Sequence, residues 1–369
     1  MTGCIVFWQR MLTPHMTELA REVARLGVDV HFVAEEALSE ERRAMGWVAG
    51  DLAAVALHVV TSPGEARALV DRLPAGAVHI TSGVRANGLV ADAQKRIRAL
   101  GRRHYPIMEK VDLRGRAGRI KPLVYAARFQ AISRSLEGML CIGEGTDAWV
   151  AKRAPRSLNV FPFAYFLQGT RGDRRARAAG RFRFVYVGGL IERKRVDLLV
   201  EALAALADRP FALEVVGDGP TRAMLEDMTA DRLSGRVTFR GTLAMGEAVE
   251  RIKAADCLVL PSDHDGYGAV VSEALINGIP AVCSSECGAA GAVRASGAGG
   301  VFRAGDVGDL RRVLGGMLDR GPLCDTEREA LSDWARCLTA EAGARYLLEI
   351  LDRAEAGGPI VPPWERGSG

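Results

Sequence analysis

No uninterrupted apolar run in this chain of 369 residues reaches the ~18–20 needed to cross a bilayer, which argues against a membrane-spanning helix. The opening MTGCIVFWQRML turns polar too soon for a signal peptide. No two cysteines form a C-x-x-C pair; the count of seven is odd, and Cys283 and Cys287 lack a companion pair of ligands. That usage speaks against a zinc centre and for reduced thiols in a cytoplasmic protein. Short-period repeats and low-complexity tracts are missing, and no clear D-x-D metal motif is read at a strand end. The formal net charge of +4 is a weak excess that does not demand nucleic acid. Its carriers are mostly arginine, whose guanidinium fits phosphate well.

What is present suits two domains of ordinary size: 48% hydrophobic and 25% charged residues is the globular norm. In the first half, strands are expected at Cys4 to Trp8, Val28 to Val33, Val55 to Val60 and Ala77 to Thr81. Helical spacing marks Thr17 to Leu26, Glu65 to Arg72 and Gly88 to Leu100. The polar, basic run GTRGDRRARAAGR, within residues 164–181, reads as a linker. The second half restarts with a strand at Phe182 to Val187, then alternates helix Val196 to Ala207, strand Ala212 to Val216, helix Arg222 to Met228, strand Val237 to Arg240, helix Glu247 to Ala254 and strand Cys257 to Leu260. Thr326 to Ala354 reads as helical and amphipathic, and the tail from Gly357 as loose. Such alternation predicts an α/β chain of two Rossmann-like, doubly wound parallel sheets, over 1–163 and 182–339. The helix at about 340–356 is expected to pack back on the first of them.

The most informative stretch is CLVLPSDHDGYGAVVSEALINGIPAVCSS, residues 257–285, a strand, a Gly-rich loop, a helix and a second strand. Ligands of such units bind where the loop meets the helix start. Asp265, Gly266, Tyr267, Gly268, Ala269 and Val270 occupy that place, and Glu273 follows on the helix. Glycines let backbone N–H groups approach closely, a helix N-terminus favours anions, and a carboxylate further in can accept from a sugar diol. Phosphate plus diol outlines a nucleotide-sugar. In VGGLIERKRVDLLVEAL, Gly188 and Gly189 turn the chain and Arg193, Lys194 and Arg195 precede a helix, where grouped cations oppose the dipole unless an anion offsets them. LEVVGDGP, with Gly217, shapes another strand-to-helix turn, and in VTFRGTL a strand ends at Arg240 and Gly241. Each of these two also fits a plain structural loop. His31, His58 and His79 fall in apolar strand segments and fit packed or edge positions better than ligands.

These motifs resemble the nucleotide-sugar domain of retaining glycosyltransferases of family 4 (glycosyl transferases group 1), over about residues 182–315. The resemblance implies a GT-B fold, two Rossmann-like domains facing a cleft, with no metal and no cofactor beyond a nucleotide-sugar co-substrate. It implies that Glu273 holds the ribose, that Asp265 lies near the donor sugar, that backbone at Gly268 and Ala269 meets the diphosphate or sugar, and that Lys194 binds phosphate. Two departures stand out: Asp265 replaces the first glutamate of the family's E-x7-E, and Gly189 stands where an arginine is common, with Arg193 close enough in sequence to compensate. The first half resembles the family more weakly. His15 lies in its first loop, and Glu109, followed by Lys110, Asp112 and Arg114, falls where many members place a histidine; His104 comes too early. Both His15 and Glu109 are equally readable as residues without chemistry. Arg114, Arg116, Arg119 and Lys121 could meet a phosphate-bearing or lipid-linked acceptor or an anionic membrane, though a solvated face is the simpler reading.

The expected reaction moves a sugar from a nucleoside diphosphate, UDP by prior, to a hydroxyl of a saccharide, glycolipid or small metabolite, with retention. Lys194, Arg193, Asp265 and Glu109 are the expected catalytic residues, and His15 and Arg114 lie on the acceptor side. A nucleotide-sugar epimerase of the same fold and a non-catalytic binding protein derived from it are the alternatives. The expected location is cytoplasmic, with a peripheral membrane position open.

Overall fold

The computed structural model describes residues 3–36, 52–84, 88–169, 180–356 and 360–366. They form two compact units, one taking the residues up to Gln168 together with Leu338 to Arg366, the other taking Gly169 to Cys337.

In the first unit, the described strands are β1 (Cys4–Met11), β2 (Asp29–Glu36), β3 (Ala56–Val59), β4 (Val78–Ser82), β5 (Arg103–Glu109), β6 (Met139–Ile142) and β7 (Val160–Phe163). They pair in parallel in the order β3-β2-β1-β4-β5-β6-β7. The helices are α1 (Pro14–Arg25), α2 (Pro63–Arg72), α3 (Gly88–Ala99), α4 (Gly115–Ile132) and α5 (Thr146–Ala151). Strand β1 shows why both faces must be covered. Cys4, Val6 and Trp8 pack with Val70, Val90 and Ile97 from α2 and α3, while the alternate residues Ile5 and Phe7 are also buried. A second cluster joins Met108, Met139 and Cys141 to Phe129 and Ile132 of α4.

The second unit contains β8 (Phe182–Val187), β9 (Phe211–Val216), β10 (Val237–Gly241), β11 (Cys257–Leu260), β12 (Ala281–Ser284) and β13 (Gly299–Phe302). They also pair in parallel, in the order β10-β9-β8-β11-β12-β13. Its helices are α6 (Val196–Ala204), α7 (Arg222–Arg232), α8 (Met245–Ala254), α9 (Ala269–Ile276), α10 (Ala290–Ser296), α11 (Val307–Arg320) and α12 (Asp325–Trp334).

Two expectations, the start of the linker and the loose tail, need correction. The helical stretch expected from Thr326 is divided: α12 ends at Trp334, a 3-10 turn spans Ala335–Leu338, and α13 (Ala340–Ala356) starts afresh. The break falls at the unit boundary. There the Leu167 N–H donates to Leu338 O at 3.1 Å, and the Ala340 N–H donates to Leu167 O at 2.7 Å. Accordingly Ala164 to Leu167 belongs to the first unit rather than to the linker, and the rest of the linker from Thr170 to Ala179 lies outside the described residues. From Leu338 onward the chain packs on the first unit, with α13 against α1. The tail is also less loose than expected. Pro363–Glu365 forms a 3-10 turn, and the Trp364 ring lies 6.3 Å from the rings of Phe166 and Tyr346.

Phe166 is the fully buried centre of that cluster, stacked edge-on against Phe163 at 5.2 Å. Phe166→Ala should therefore cost about 3–5 kcal/mol, the range for deleting a buried aromatic ring, read from the midpoint of urea unfolding followed by tryptophan fluorescence.

Candidate donor site at a sheet switch point

In the second unit the strand order reverses between β8 and β11, so their carboxyl ends make the switch point where an open α/β sheet takes its ligand. The two loops that leave those ends are tied together. The Asp263 N–H donates to Arg193 O at 2.9 Å. The Arg193 guanidinium donates back to His264 O. Lys194 Nζ lies 2.5 Å from Asp265 Oδ2, and both side chains are largely buried. Arg195, a non-glycine residue with φ of 50°, caps α6 and joins Asp197 and Asp263, each at 3.0 Å. Asp263 and Asp265 do spell D-x-D just beyond β11, contrary to the sequence reading. Yet each carboxylate is held by a cation, Arg195 and Lys194 respectively.

The Asp265–Gly268 loop is zipped to the loop after β12. The Asp265 N–H donates to Glu286 O at 3.1 Å, the Gly288 N–H to Asp265 O at 3.0 Å, and the Ala289 N–H to Tyr267 O at 2.7 Å. Gly268 caps α9 with φ of 86°, and a Cβ there would sit 2.7 Å from Cys287 Sγ. A Cβ on Gly288 would come within 2.3 Å of Gly266 O. These are close approaches that glycine alone permits. The helix α9 that follows has no side-chain N-cap and no acidic residue in its first turn, so the N–H groups beginning at Ala269 and Val270 stay open to an anion.

Glu273 sits on the second turn of α9, partly exposed. Its side chain has no hydrogen-bond or ion-pair partner among the described residues, and burial alone raises its pKa to about 7. An unpaired, half-desolvated carboxyl beside an open helix end can accept hydrogen bonds from a ligand's hydroxyls.

Other predicted binding residues take structural parts. The Tyr267 ring is buried, with its hydroxyl 3.0 Å from Ser272 Oγ. Gly188, Gly217 and Gly241 serve close strand-end packing. A Cβ on Gly217 would lie 1.9 Å from Gly188 O, and the Gly217 N–H donates to Gly241 O at 2.8 Å. Gly189 O accepts from the Tyr186 hydroxyl at 2.9 Å.

The first unit gathers its own group at the carboxyl side of its sheet. His15 opens α1 after β1, Glu109 ends β5, and Tyr165 follows β7. The Tyr165 hydroxyl donates to Glu109, and the His15 and Tyr165 rings lie 3.8 Å apart. Sequence reasoning missed Tyr165 because the short strand β7 was not recognised; the signal was the FPFAY run. Arg114 lies just beyond this group, before α4. Its guanidinium pairs with Asp112 at 2.8 Å. His104 lies within the core, bonded to Thr81, with its pKa driven down to about 3 by burial. His79 is buried too, accepting from Trp8 Nε1 at 3.1 Å. His31 and His58 lie 2.9 Å apart at the amino-terminal side of the sheet, where Cys4 and Asp29 complete a thiol–carboxylate–imidazole cluster. The anion position at the start of α3 is already filled, since Glu35 accepts from the Leu89 and Val90 N–H groups at 2.7 and 3.2 Å.

Two parallel, doubly wound Rossmann-like units define the GT-B architecture. Solved structures share it along most of the chain. Anabaena HepE in complex with UDP has a TM-score of 0.73 at 11% identity, covering 95% of this chain and 100% of that one. WaaG, a glycosyltransferase involved in lipopolysaccharide biosynthesis, has a TM-score of 0.60 at 19% identity, covering 94% of this chain and 99% of that one. At such identities the likeness carries the fold. Residues 173–332, which hold the whole donor loop system, match the family model for glycosyl transferases group 1. Among curated relatives, 2-deoxystreptamine glucosyltransferase of Streptomyces kanamyceticus is 32% identical over 152 residues, 40% of this chain and 39% of that protein. D-inositol 3-phosphate glycosyltransferase of Mycobacterium sp. (strain KMS) is 31% identical over 163 residues, 42% and 37%. The chain thus spans about two fifths of the length of the curated relatives it matches.

The Glu273 shift carries a sign. Its folded pKa of about 7 lies above the ordinary 4.5, so its stabilising share is full below about 4.5 and is lost as pH rises through 7. In ligand-free protein, Glu273→Gln should raise Tm at pH 8 and leave it nearly unchanged at pH 4.5, measured by thermal scanning across that range.

Proposed function

We propose that the protein is a glycosyltransferase that takes its sugar from a nucleoside diphosphate and passes it to a hydroxyl. The unpaired Glu273 carboxyl behind the open end of α9 carries this reading, for it offers an acceptor to a ribose diol beside a seat for an anion. The family match over residues 173–332 supports the same class. UDP is the proposed nucleotide, in line with the UDP complex of the structurally similar HepE. Retention of configuration, and turnover without a metal, are proposed on the resemblance of the loop motifs to family 4 enzymes.

Bond breaking at the sugar leaves negative charge on the diphosphate. Lys194, Arg193 and the N-terminus of α9 are cationic or dipolar groups suited to stabilise it. Lys194 is held by Asp265, so a bound diphosphate would share or take over that ammonium. The proposed part for Asp265 is to orient the lysine and to meet the sugar. Asp265 is one methylene shorter than the glutamate common in the family, and donor choice is where that difference would tell. In the first unit, Glu109, held by Tyr165 with His15 packed on the tyrosine ring, is the proposed acceptor-side group, and a saccharide, glycolipid or small hydroxylated metabolite the proposed acceptor. Arg114, paired with Asp112, is kept there as a flanking cation.

A thermal-shift screen of nucleotide-sugars tests the site. The matching donor should raise Tm of the wild type by several degrees and leave Glu273→Ala unmoved. Lys194→Ala should lower turnover at least a hundredfold while the protein still folds, as removal of one charge-stabilising donor does elsewhere. Anomeric analysis of the product by NMR reads retention directly. Wild-type turnover in both variants would overturn the assignment.

A further inference from the structure

A thiol, a carboxylate and an imidazole meet at the amino-terminal side of the first sheet. Cys4 opens β1, Asp29 and His31 stand on β2, and His58 stands on β3. Register brings them together. Cys4 pairs with Asp29 across the β1–β2 ladder, and His58 pairs with Val33, two residues beyond His31. Alternation along a strand then puts Asp29, His31 and Val33 on one face of β2, the face on which Cys4, Val6 and Val33 join the cluster under α2 and α3. One donor atom from each of Cys4, Asp29 and His31 lies within 4.8 Å of the other two. His31 Nε2 is 3.3 Å from Asp29 Oδ2, close to the ~3.4 Å nitrogen–oxygen edge of a tetrahedron about zinc. The other ring nitrogen, His31 Nδ1, is 2.9 Å from His58 Nε2. Among the described residues, Asp29 pairs with His31 and with no lysine or arginine.

We propose that Cys4 Sγ, the Asp29 carboxylate and His31 Nε2 bind a zinc ion that braces β1 to β2. The donor set selects the ion: a thiolate with an imidazole suits zinc, whereas magnesium and calcium take oxygen donors. Cys4, 6% exposed, supplies the inner ligand. Asp29, with a side chain 60% exposed, gives the ion a path from solvent and leaves the fourth position to water. His58 is then an outer partner. With Nε2 on the metal, His31 carries its proton on Nδ1 and donates it to His58 Nε2, the support that a ligating imidazole normally takes. On binding, the Cys4 S–H bond gives way to a sulfur–zinc bond, and the proton leaves to solvent. Ligands gathered by sheet register leave no local spacing, which is why cysteine usage alone spoke against zinc. The group lies at the opposite end of the strands from His15, Glu109 and Tyr165, so the ion steadies the sheet and takes no part in sugar transfer. The proposal does not rest on the glycosyltransferase reading.

The test takes the full chain, treats it with a chelator, and titrates it with zinc, magnesium or cobalt. Zinc should raise Tm by several degrees and magnesium should leave it unmoved. Cobalt should give the visible bands of a tetrahedral ion and a near-ultraviolet sulfur-to-metal band, which Cys4→Ser abolishes. His58→Gln should weaken zinc about tenfold, and His31→Gln and Asp29→Asn should weaken it more. Asp29 is exposed, so Asp29→Asn leaves the metal-free Tm near the wild-type value and decides the matter even where Cys4→Ser fails to fold. A Tm that ignores zinc would overturn the proposal. So would zinc binding that survives Asp29→Asn and His31→Gln, or that is lost instead in Cys324→Ser, which removes an exposed thiol. Thermal shifts induced by a nucleotide-sugar should be the same with and without the chelator; a chelator that abolished them would place the ion at the donor site and overturn the proposal.

Discussion

The loop after β8 and the loop after β11 are bound into one piece, and the candidate donor site depends on that union. Backbone and side-chain hydrogen bonds run both ways between Arg193 and the Asp263–His264 segment, and two ion pairs lie beside them. Partly buried ion pairs contribute little net stability, because desolvation offsets much of the attraction. What they supply is position. Lys194 is held at a fixed place by a partner that an incoming phosphate can displace, and the desolvation of both charges is already met before any ligand arrives.

The two units share a plan and treat the same feature oppositely. In each, a helix follows a strand at or beside the point where the strand order reverses, and its first N–H groups point outward. In the first unit Glu35 fills that place at α3 with the protein's own carboxylate. In the second, α9 begins on Gly268 with no side-chain cap, and the nearby carboxyl on Glu273 has no partner among the described residues. One helix end is finished by the chain; the other is left without a capping side chain. This contrast, more than the shared architecture, is what sets the second unit apart as the candidate ligand-holding half.

The second unit was legible in the sequence because its strands are short, apolar and punctuated by glycine, so β8 and β11 were read at their true bounds. Lys194, Asp265, Gly268 and Glu273 followed from where those strands end. The pairing of Asp263 with Arg195 was not legible: 68 residues separate them, and no local pattern encodes which cation meets which carboxylate. In the first unit β5, β6 and β7 escaped notice. Proline within β5 and β7 mimics a break, yet a proline can sit in a strand wherever its missing N–H faces no partner. With β7 unseen, Tyr165 was taken for linker, and the group it forms with Glu109 and His15 stayed hidden. The break inside the helical stretch after Thr326 was not legible for a different reason: periodicity carries no mark of which unit a turn belongs to, and the switch at Leu338 is made by tertiary hydrogen bonds.

The backbone ladder between Leu167 and the Leu338–Ala340 segment has a topological corollary. The polypeptide leaves the first unit and re-enters it at neighbouring points, so the whole second unit is an insertion between two residues that already touch. Joining Gln168 to Leu338 through a few glycines would yield a shortened chain with the first sheet intact. Simple truncation after Cys337 would strip α1 of its cover and leave Phe163 and Phe166 facing water. Genetic dissection of this molecule therefore calls for excision from the middle rather than for a cut at one end.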